Sequence, residues 1–118
     1  MQAKDAVGRY GEWVAAMRLE ENGLRVVDRN WRCDEGEIDI VALDGEVLAF
    51  IEVKTRTSED FGVPAEAVTT AKQQRVRGLA QRWLATHEHP YSELRFDVCS
   101  LIKPKLGAAS FEHLKDAF

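Results

Sequence analysis

The stretch GEIDIVALDGEVLAFIEVKTR, residues 36–56, does most to constrain what this 118-residue chain can fold into. Two runs rich in Ile, Val, Ala and Phe flank Asp44-Gly45, a dipeptide preferred in two-residue hairpin turns, so the runs read as strands folded back on each other. Strands deplete Asp, Glu and Lys, yet Asp39, Glu52 and Lys54 lie within these runs. A turn at 44–45 sets Leu43 opposite Glu46, Val41 opposite Leu48, Asp39 opposite Phe50 and Glu37 opposite Glu52. Opposed residues share a face, which predicts Asp39, Glu52 and Lys54 on one side of the hairpin, with Glu37 as a third acid at the same end. Asp39 and Glu52 then become diagonal neighbours, about 7–8 Å apart at the backbone.

Like charges opposed on a sheet repel, and a cation between them removes that cost. Two or three carboxylates plus waters is how proteins usually hold Mg²⁺. Such a site with a lysine beside it suits attack of water on a phosphodiester: the metal polarises phosphorus and lowers the water's pKa. The lysine orients the water or stabilises charge growing on the phosphoryl oxygens. The bland alternative leaves Glu37 and Glu52 at solvated strand ends, with Lys54 paired to one of them. Register is the sensitive point, because a three-residue turn would swing Asp39 to the other face from Glu52.

Around the hairpin, the chain opens with a helix over 5–21, stopped by the cap signal Asn22-Gly23. Tyr10, Trp13, Val14 and Met17 form a bulky stripe on it, while Gly8, Gly11, Ala15 and Leu19 line roughly the opposite side. A glycine within a helix costs about 1 kcal/mol relative to alanine, so close backbone approach to the sheet is the expected reason for these two. The bulky stripe is expected on another element or on a second copy, giving a homodimer contact through Tyr10, Trp13 and Met17. Residues 24–31 read as a first strand, 33–36 as a turn, 37–43 and 46–54 as the second and third strands, and 55–64 as a polar loop with Phe61-Gly62. A long helix follows from Ala65 or Thr70 to Thr86, with Val76, Leu79, Ala80, Trp83 and Leu84 as its buried stripe, then a fourth strand over 94–102. For the closing SFEHLKDAF, periodicity does not choose between a strand and a helical turn. Helix, three-strand meander, helix and strand in this order predict an α/β sandwich, with the third and fourth strands parallel across the helical crossover.

Length and composition fit one soluble domain over 1–118: 13.3 kDa, 45% hydrophobic, 31% charged. The net charge of −4 argues against a general nucleic-acid coat and confines any nucleic-acid surface to a local basic patch. Cys33 and Cys99 form no CxxC pair, which leaves no zinc or redox motif and suggests a reducing, cytoplasmic compartment. No signal peptide is apparent, and the longest fully apolar run, 47–51, is too short to span a membrane. His87, His89 and His113 show no metal-ligand spacing and read as exposed loop and tail histidines.

The ordered series Gly11-Glu12, Asn30-Trp31-Arg32, Gly36-Glu37-Ile38-Asp39, Phe50-Ile51-Glu52-Val53-Lys54-Thr55-Arg56, Phe61-Gly62 and Arg95-Phe96-Asp97-Val98 resembles the YraN family, small bacterial proteins labelled as candidate endonucleases. More broadly, D-x(12)-E-V-K on a hairpin after a helix bearing a glutamate resembles the PD-(D/E)xK superfamily. The likeness spans almost the whole chain, with Ile38 standing where the motif name has proline. It implies a restriction-endonuclease-like three-layer α/β sandwich with a mixed sheet. It further implies that Asp39 and Glu52 are metal-binding acids, that Lys54 is the catalytic lysine, and that Glu12 helps bind metal. Without the family, Glu12 falls on the sheet-facing side of its helix and reads equally well as bonded to an arginine such as Arg32.

Between residues 67 and 87 the chain has no acid but carries Lys72, Arg75, Arg77 and Arg82. Lys72 and Arg75 share a helix face, and Arg56 leaves the third strand nearby, which makes these three the candidate nucleic-acid contacts. A solvated helix face explains the same charges. Arg95 and Asp97, on one face of the fourth strand, are expected as a structural ion pair. The leading expectation is a Mg²⁺- or Mn²⁺-dependent endonuclease hydrolysing DNA phosphodiesters, of branched or structured DNA, without membrane association. Its rival is a non-catalytic nucleic-acid-binding or protein-interaction module that keeps the nuclease fold.

Overall fold

The computed structural model describes residues 3–57 and 68–118, with their side chains from residue 8 onward. The elements are α1 (Ala3–Glu21), β1 (Arg25–Cys33), β2 (Gly36–Asp44), β3 (Val47–Thr57), α2 (Thr70–Thr86), β4 (Glu93–Lys103) and β5 (Ser110–Leu114). β3 runs past Lys54 to Thr57; the rest of the expected polar loop, with Phe61-Gly62 and the alternative helix start at Ala65, lies outside the described residues. The hydroxyl of Thr69 accepts the Lys72 N–H at 3.2 Å and so caps α2 at its second candidate start.

The five strands form one sheet in chain order. Neighbours are antiparallel except β3 and β4, which the crossover makes parallel as expected. The closing segment left open by periodicity is the edge strand β5. On one face Ala15, Ala16 and Leu19 of α1 pack on Ile40, Ala49 and Ile51. On the other, Val76, Leu79 and Trp83 of α2 pack on Val41, Leu48 and Phe50. Helix, mixed sheet and helix give the three layers of a restriction-endonuclease-like sandwich.

α1 ends where Gly23 takes φ 93° and its N–H bonds the Glu20 carbonyl, while Leu24 N–H bonds that of Leu19, both at 3.0 Å. That pair of bonds is the Schellman cap that Asn22-Gly23 signals. The close approach expected of the helix glycines holds at Gly11 only: a Cβ there would lie 1.7 Å from Thr55 Oγ1, whereas at Gly8 it would meet nothing within 4 Å. α1 is thus seated on β3 one residue before Glu12. Val14 joins the core, and Tyr10 is half-buried beneath the Lys103 ammonium, so the bulky stripe divides. Trp13 and Met17 stay 51% and 40% exposed.

The hairpin register differs from the one read off Asp44-Gly45. Asp44 pairs with Val47, Leu43 with Leu48 and Val41 with Phe50, so Gly45 and Glu46 form the turn. Gly45, at φ 63°, occupies the first central position, the glycine slot of a II′ turn, rather than the second position that the Asp-Gly signal implies. The displacement is two residues, which preserves which side chains share a face.

Midway along β4, opposite Ile51 of β3, Asp97 is fully buried and accepts both Arg95 Nε and Nη2 at 2.9 Å, His113 Nε2 at 2.8 Å and the Asp116 N–H at 2.9 Å. The expected Arg95–Asp97 pair is there. The reading of the histidines as exposed is corrected: the His113 side chain is buried on β5, and His87 stacks on Trp83 with ring centroids 4.2 Å apart. Both belong to the packing. No helix among the described residues is long and apolar enough to cross a membrane.

Candidate functional site

The ladder between β2 and β3 stops at Ile40 and Ile51. The next residue on each strand is an acid, Asp39 on β2 and Glu52 on β3. Where the ladder stops, a side chain takes over: Asp39 Oδ2 accepts the Val53 N–H at 2.8 Å. β2 is irregular at this row. Ile38 packs on the α2 side and Ile40 on the α1 side, although residues two apart on a regular strand share a face. β1 is irregular beside it, because Asn30, flanked by the pairs Arg29↔Ile40 and Trp31↔Ile38, takes φ 52°. Such departures from the ladder aim side chains that a regular sheet could not bring together.

Three carboxylates converge there. Glu12 of α1 and Glu37 and Asp39 of β2 each offer an oxygen, and these atoms lie within 4.8 Å of one another. The seat of Gly11 on Thr55 fixes the height at which Glu12 enters. Glu12 Oε1 is buried and accepts no hydrogen bond. Burial first, then the neighbouring Glu37, raises the Glu12 pKa against the opposing pull of Arg29. For Asp39, burial first and the Glu52 charge second push the pKa up to about 8, over the lowering effect of the Val53 N–H. An all-oxygen acid cluster with an unpartnered buried oxygen fits a hard divalent cation such as Mg²⁺ or Mn²⁺.

Glu52, only 8% exposed, borders the trio without joining it. Its Oε1 is held by Lys72 Nζ at 2.5 Å. Burial tends to lower the Lys72 pKa, but the bond to Glu52 and its charge raise it. Lys54, two residues along β3, has its pKa lowered by burial and then by the adjacent Lys72, against the attraction of Glu52 and Asp39. Two lysines, the pKa of one raised and of the other lowered, therefore face the acids from the β3 and α2 side.

The other candidate contacts are spread more widely. Arg56 is half-buried near the end of β3, and exposed Arg75 runs past the β1–β2 turn, where a Cβ on Gly36 would lie 3.8 Å from its Cδ. Arg77 lies over the Phe96 ring at 4.4 Å, and Arg82 pairs with Asp34 at 2.6 Å, so these two members of the charge run serve packing and the turn. Arg32 bonds Glu37 at 2.5 Å rather than Glu12. Sequence reasoning did not assign Arg9, Arg29 and Asn30 to the site, yet they line a cavity with Glu12, Arg32 and Glu37. Only Asn30, a poor strand former within β1, carried a signal.

A profile of Uncharacterised protein family UPF0102 matches residues 11–101, spanning the site from Gly11 to Leu101. A UPF0102 protein of Beutenbergia cavernae is 56% identical over 115 residues, covering 98% of both chains. One from Frankia casuarinae is 52% identical over 118 residues and covers all of both, and one from Nocardia farcinica is 47% identical over 115 residues, covering 98% of this chain and 91% of its own. With a profile match over most of its length and relatives near half identity end to end, the chain belongs to the UPF0102 family, the YraN group.

Proposed function

We propose that this protein is a divalent-metal-dependent nuclease that hydrolyses DNA phosphodiesters. The convergence of Glu12, Glu37 and Asp39 oxygens within 4.8 Å carries the reading. These three would hold Mg²⁺ or Mn²⁺, and Glu52 would join them once Lys72 moves off its carboxylate. When bound, such an ion supplies Lewis-acid polarisation of the phosphoryl group and a more acidic water. Lys54, its pKa lowered, is suited to orient that water or to hold a proton beside it. Lys72, Arg75 and Arg56 are suited to meet the backbone phosphates, with Lys72 passing its charge from Glu52 to the substrate. Branched or structured DNA, the substrate expected from the sequence, is the one to try first. Two free thiols suit a cytoplasmic setting, and the exposed Trp13 and Met17 suit contact with a second copy.

Incubation of end-labelled branched and linear DNA with the protein in Mg²⁺ or Mn²⁺ tests this. Asp39→Ala and Glu52→Ala are expected to abolish cleavage while keeping a cooperative melt; normal cleavage by both variants would rule the reading out. The Glu52–Lys72 pair favours one rival, because it neutralises the acid internally as a metal would. In that rival the domain binds nucleic acid without chemistry, giving a salt-dependent mobility shift and no product at any Mg²⁺ or Mn²⁺ concentration.

A further inference from the structure

A cavity of about 470 Å³ lies on the β1 side of the acid cluster, lined by Arg9, Glu12, Arg29, Asn30, Arg32 and Glu37. Arg9 stands on α1 three residues before Glu12, so the two share a helix face. The other three basic and polar residues come from β1, an edge strand whose outer side pairs with no strand of the sheet. Three guanidinium groups on one rim repel one another and need a counter-charge. The cavity's two acids offset only part of this charge: Arg29 and Arg32 act on Glu12 through space, and three arginines face two carboxylates. Glu37 takes only Arg32, at 2.5 Å, and Glu12 Oε1 stays buried without a bond although arginines surround it. Arg9 and Arg29 are exposed and make no ion pair among the described residues. A guanidinium fork matches a phosphate in geometry as well as charge, and the cavity has the size of a site for a nucleotide-sized group.

We infer that Arg9, Arg29 and Arg32, with Asn30, form a phosphate subsite that grips the nucleic-acid backbone beside the acid cluster, opposite Lys72 and Arg75. The inference rests on the nuclease reading and deepens it. A substrate strand crosses the molecule from the α2 start, over the acids, to the β1 edge, and is held by phosphates on both sides of the one attacked. Asn30, in its left-handed turn of β1, supplies a neutral amide between the arginines.

The full chain is titrated against a labelled oligonucleotide, as single strand and as duplex, at one fixed Ca²⁺ concentration over a NaCl series. Arg9→Ala/Arg29→Ala is compared with Arg9→Lys/Arg29→Lys, and with Arg82→Ala as a basic change elsewhere. Each lost phosphate contact lowers the slope of log affinity against log salt by about 0.7 on single strands and about 0.9 on duplex. The double alanine variant is therefore expected to lose roughly twice that, with the lysine variant and Arg82→Ala close to wild type. An unchanged slope in the double alanine variant, with wild type binding normally, overturns the subsite and leaves the nuclease reading standing. Wild type that binds neither oligonucleotide overturns both. Displacement of the oligonucleotide by inorganic phosphate beyond that by sulfate at matched ionic strength would make the cavity a small-anion site and also overturn it.

Discussion

Lys72 Nζ lies 2.5 Å from Glu52 Oε1, which puts the internal cation of α2 on the one acid that the Glu12–Glu37–Asp39 trio leaves out. The lysine and an incoming metal compete for that carboxylate. Lys72→Ala is expected to lower the melting temperature of the metal-free protein, since a nearly buried carboxylate loses its partner at a cost of about 1–3 kcal/mol. It is also expected to enlarge the gain in melting temperature produced by Mn²⁺. Thermal melts with and without Mn²⁺ read both effects, and an equal Mn²⁺ gain in variant and wild type would remove the competition.

Gly11 and Thr55 set the entry of Glu12. Gly11→Ala drives a methyl into Thr55 Oγ1 and is expected to cost about 1–3 kcal/mol. Because Glu12 follows directly, Mn²⁺ affinity should fall with stability. Adding Thr55→Ala removes the closest overlap and should restore part of both, as measured by denaturant unfolding and by Mn²⁺ calorimetry. Gly8→Ala, with open space at its position, should do neither.

Asp39 gives the metal-free protein a pH dependence of defined sign. Its pKa is about 8 when folded against 3.8 for a free carboxyl, so the folded state binds the proton more tightly. The stabilisation is fully present below pH 3.8 and is lost as pH rises through about 8. Unfolding free energy should therefore fall across that window, and Asp39→Asn should flatten the fall. Equilibrium denaturation at a series of pH values measures it. Parallel curves for the two proteins would show that Asp39 ionises freely.

Asp97 works in the other direction, on the strand next to the acid site, where it pairs with Ile51, the residue before Glu52. Burial would raise its pKa, but hydrogen bonds from His113, Arg95 and the Asp116 N–H outweigh it and hold the carboxyl below the usual range. Its contribution is present above the ordinary carboxyl pKa and is lost as pH falls through the lower folded value. Asp97→Ala leaves Arg95 and His113 without their shared acceptor and should cost about 3–5 kcal/mol, read by chemical denaturation. Surviving Mn²⁺ binding in the folded fraction would separate this network from the site.

The hairpin was legible because Asp44-Gly45 and two apolar runs leave few alternatives, and a two-residue error in register kept the side chains of the paired residues, 40–44 and 47–51, on their faces. The parallel crossover and the Arg95–Asp97 pair were legible for the same reason: each follows from local order and strand alternation. Glu12, Glu37, Asp39 and Glu52 were all expected at the site; that the first three close on one another and leave Glu52 at the border goes with the irregular row at Asn30 and Asp39, and no local pattern encodes a bend shared by two strands. Lys72 looked like a surface cation because its partner lies twenty residues away. His113 looked like part of a tail because five residues were too few to declare β5 a strand. Arg9 and Arg29 resembled any exposed arginine until the fold set them on one rim.

Location of Mn²⁺ by anomalous diffraction from soaked crystals tests the convergence of acids most directly. A peak held by the carboxylates of Glu12, Glu37 and Asp39, with Glu52 at its edge, is the expected result. Saturating Mn²⁺ with no peak among those side chains, or a peak only elsewhere on the surface, would contradict it.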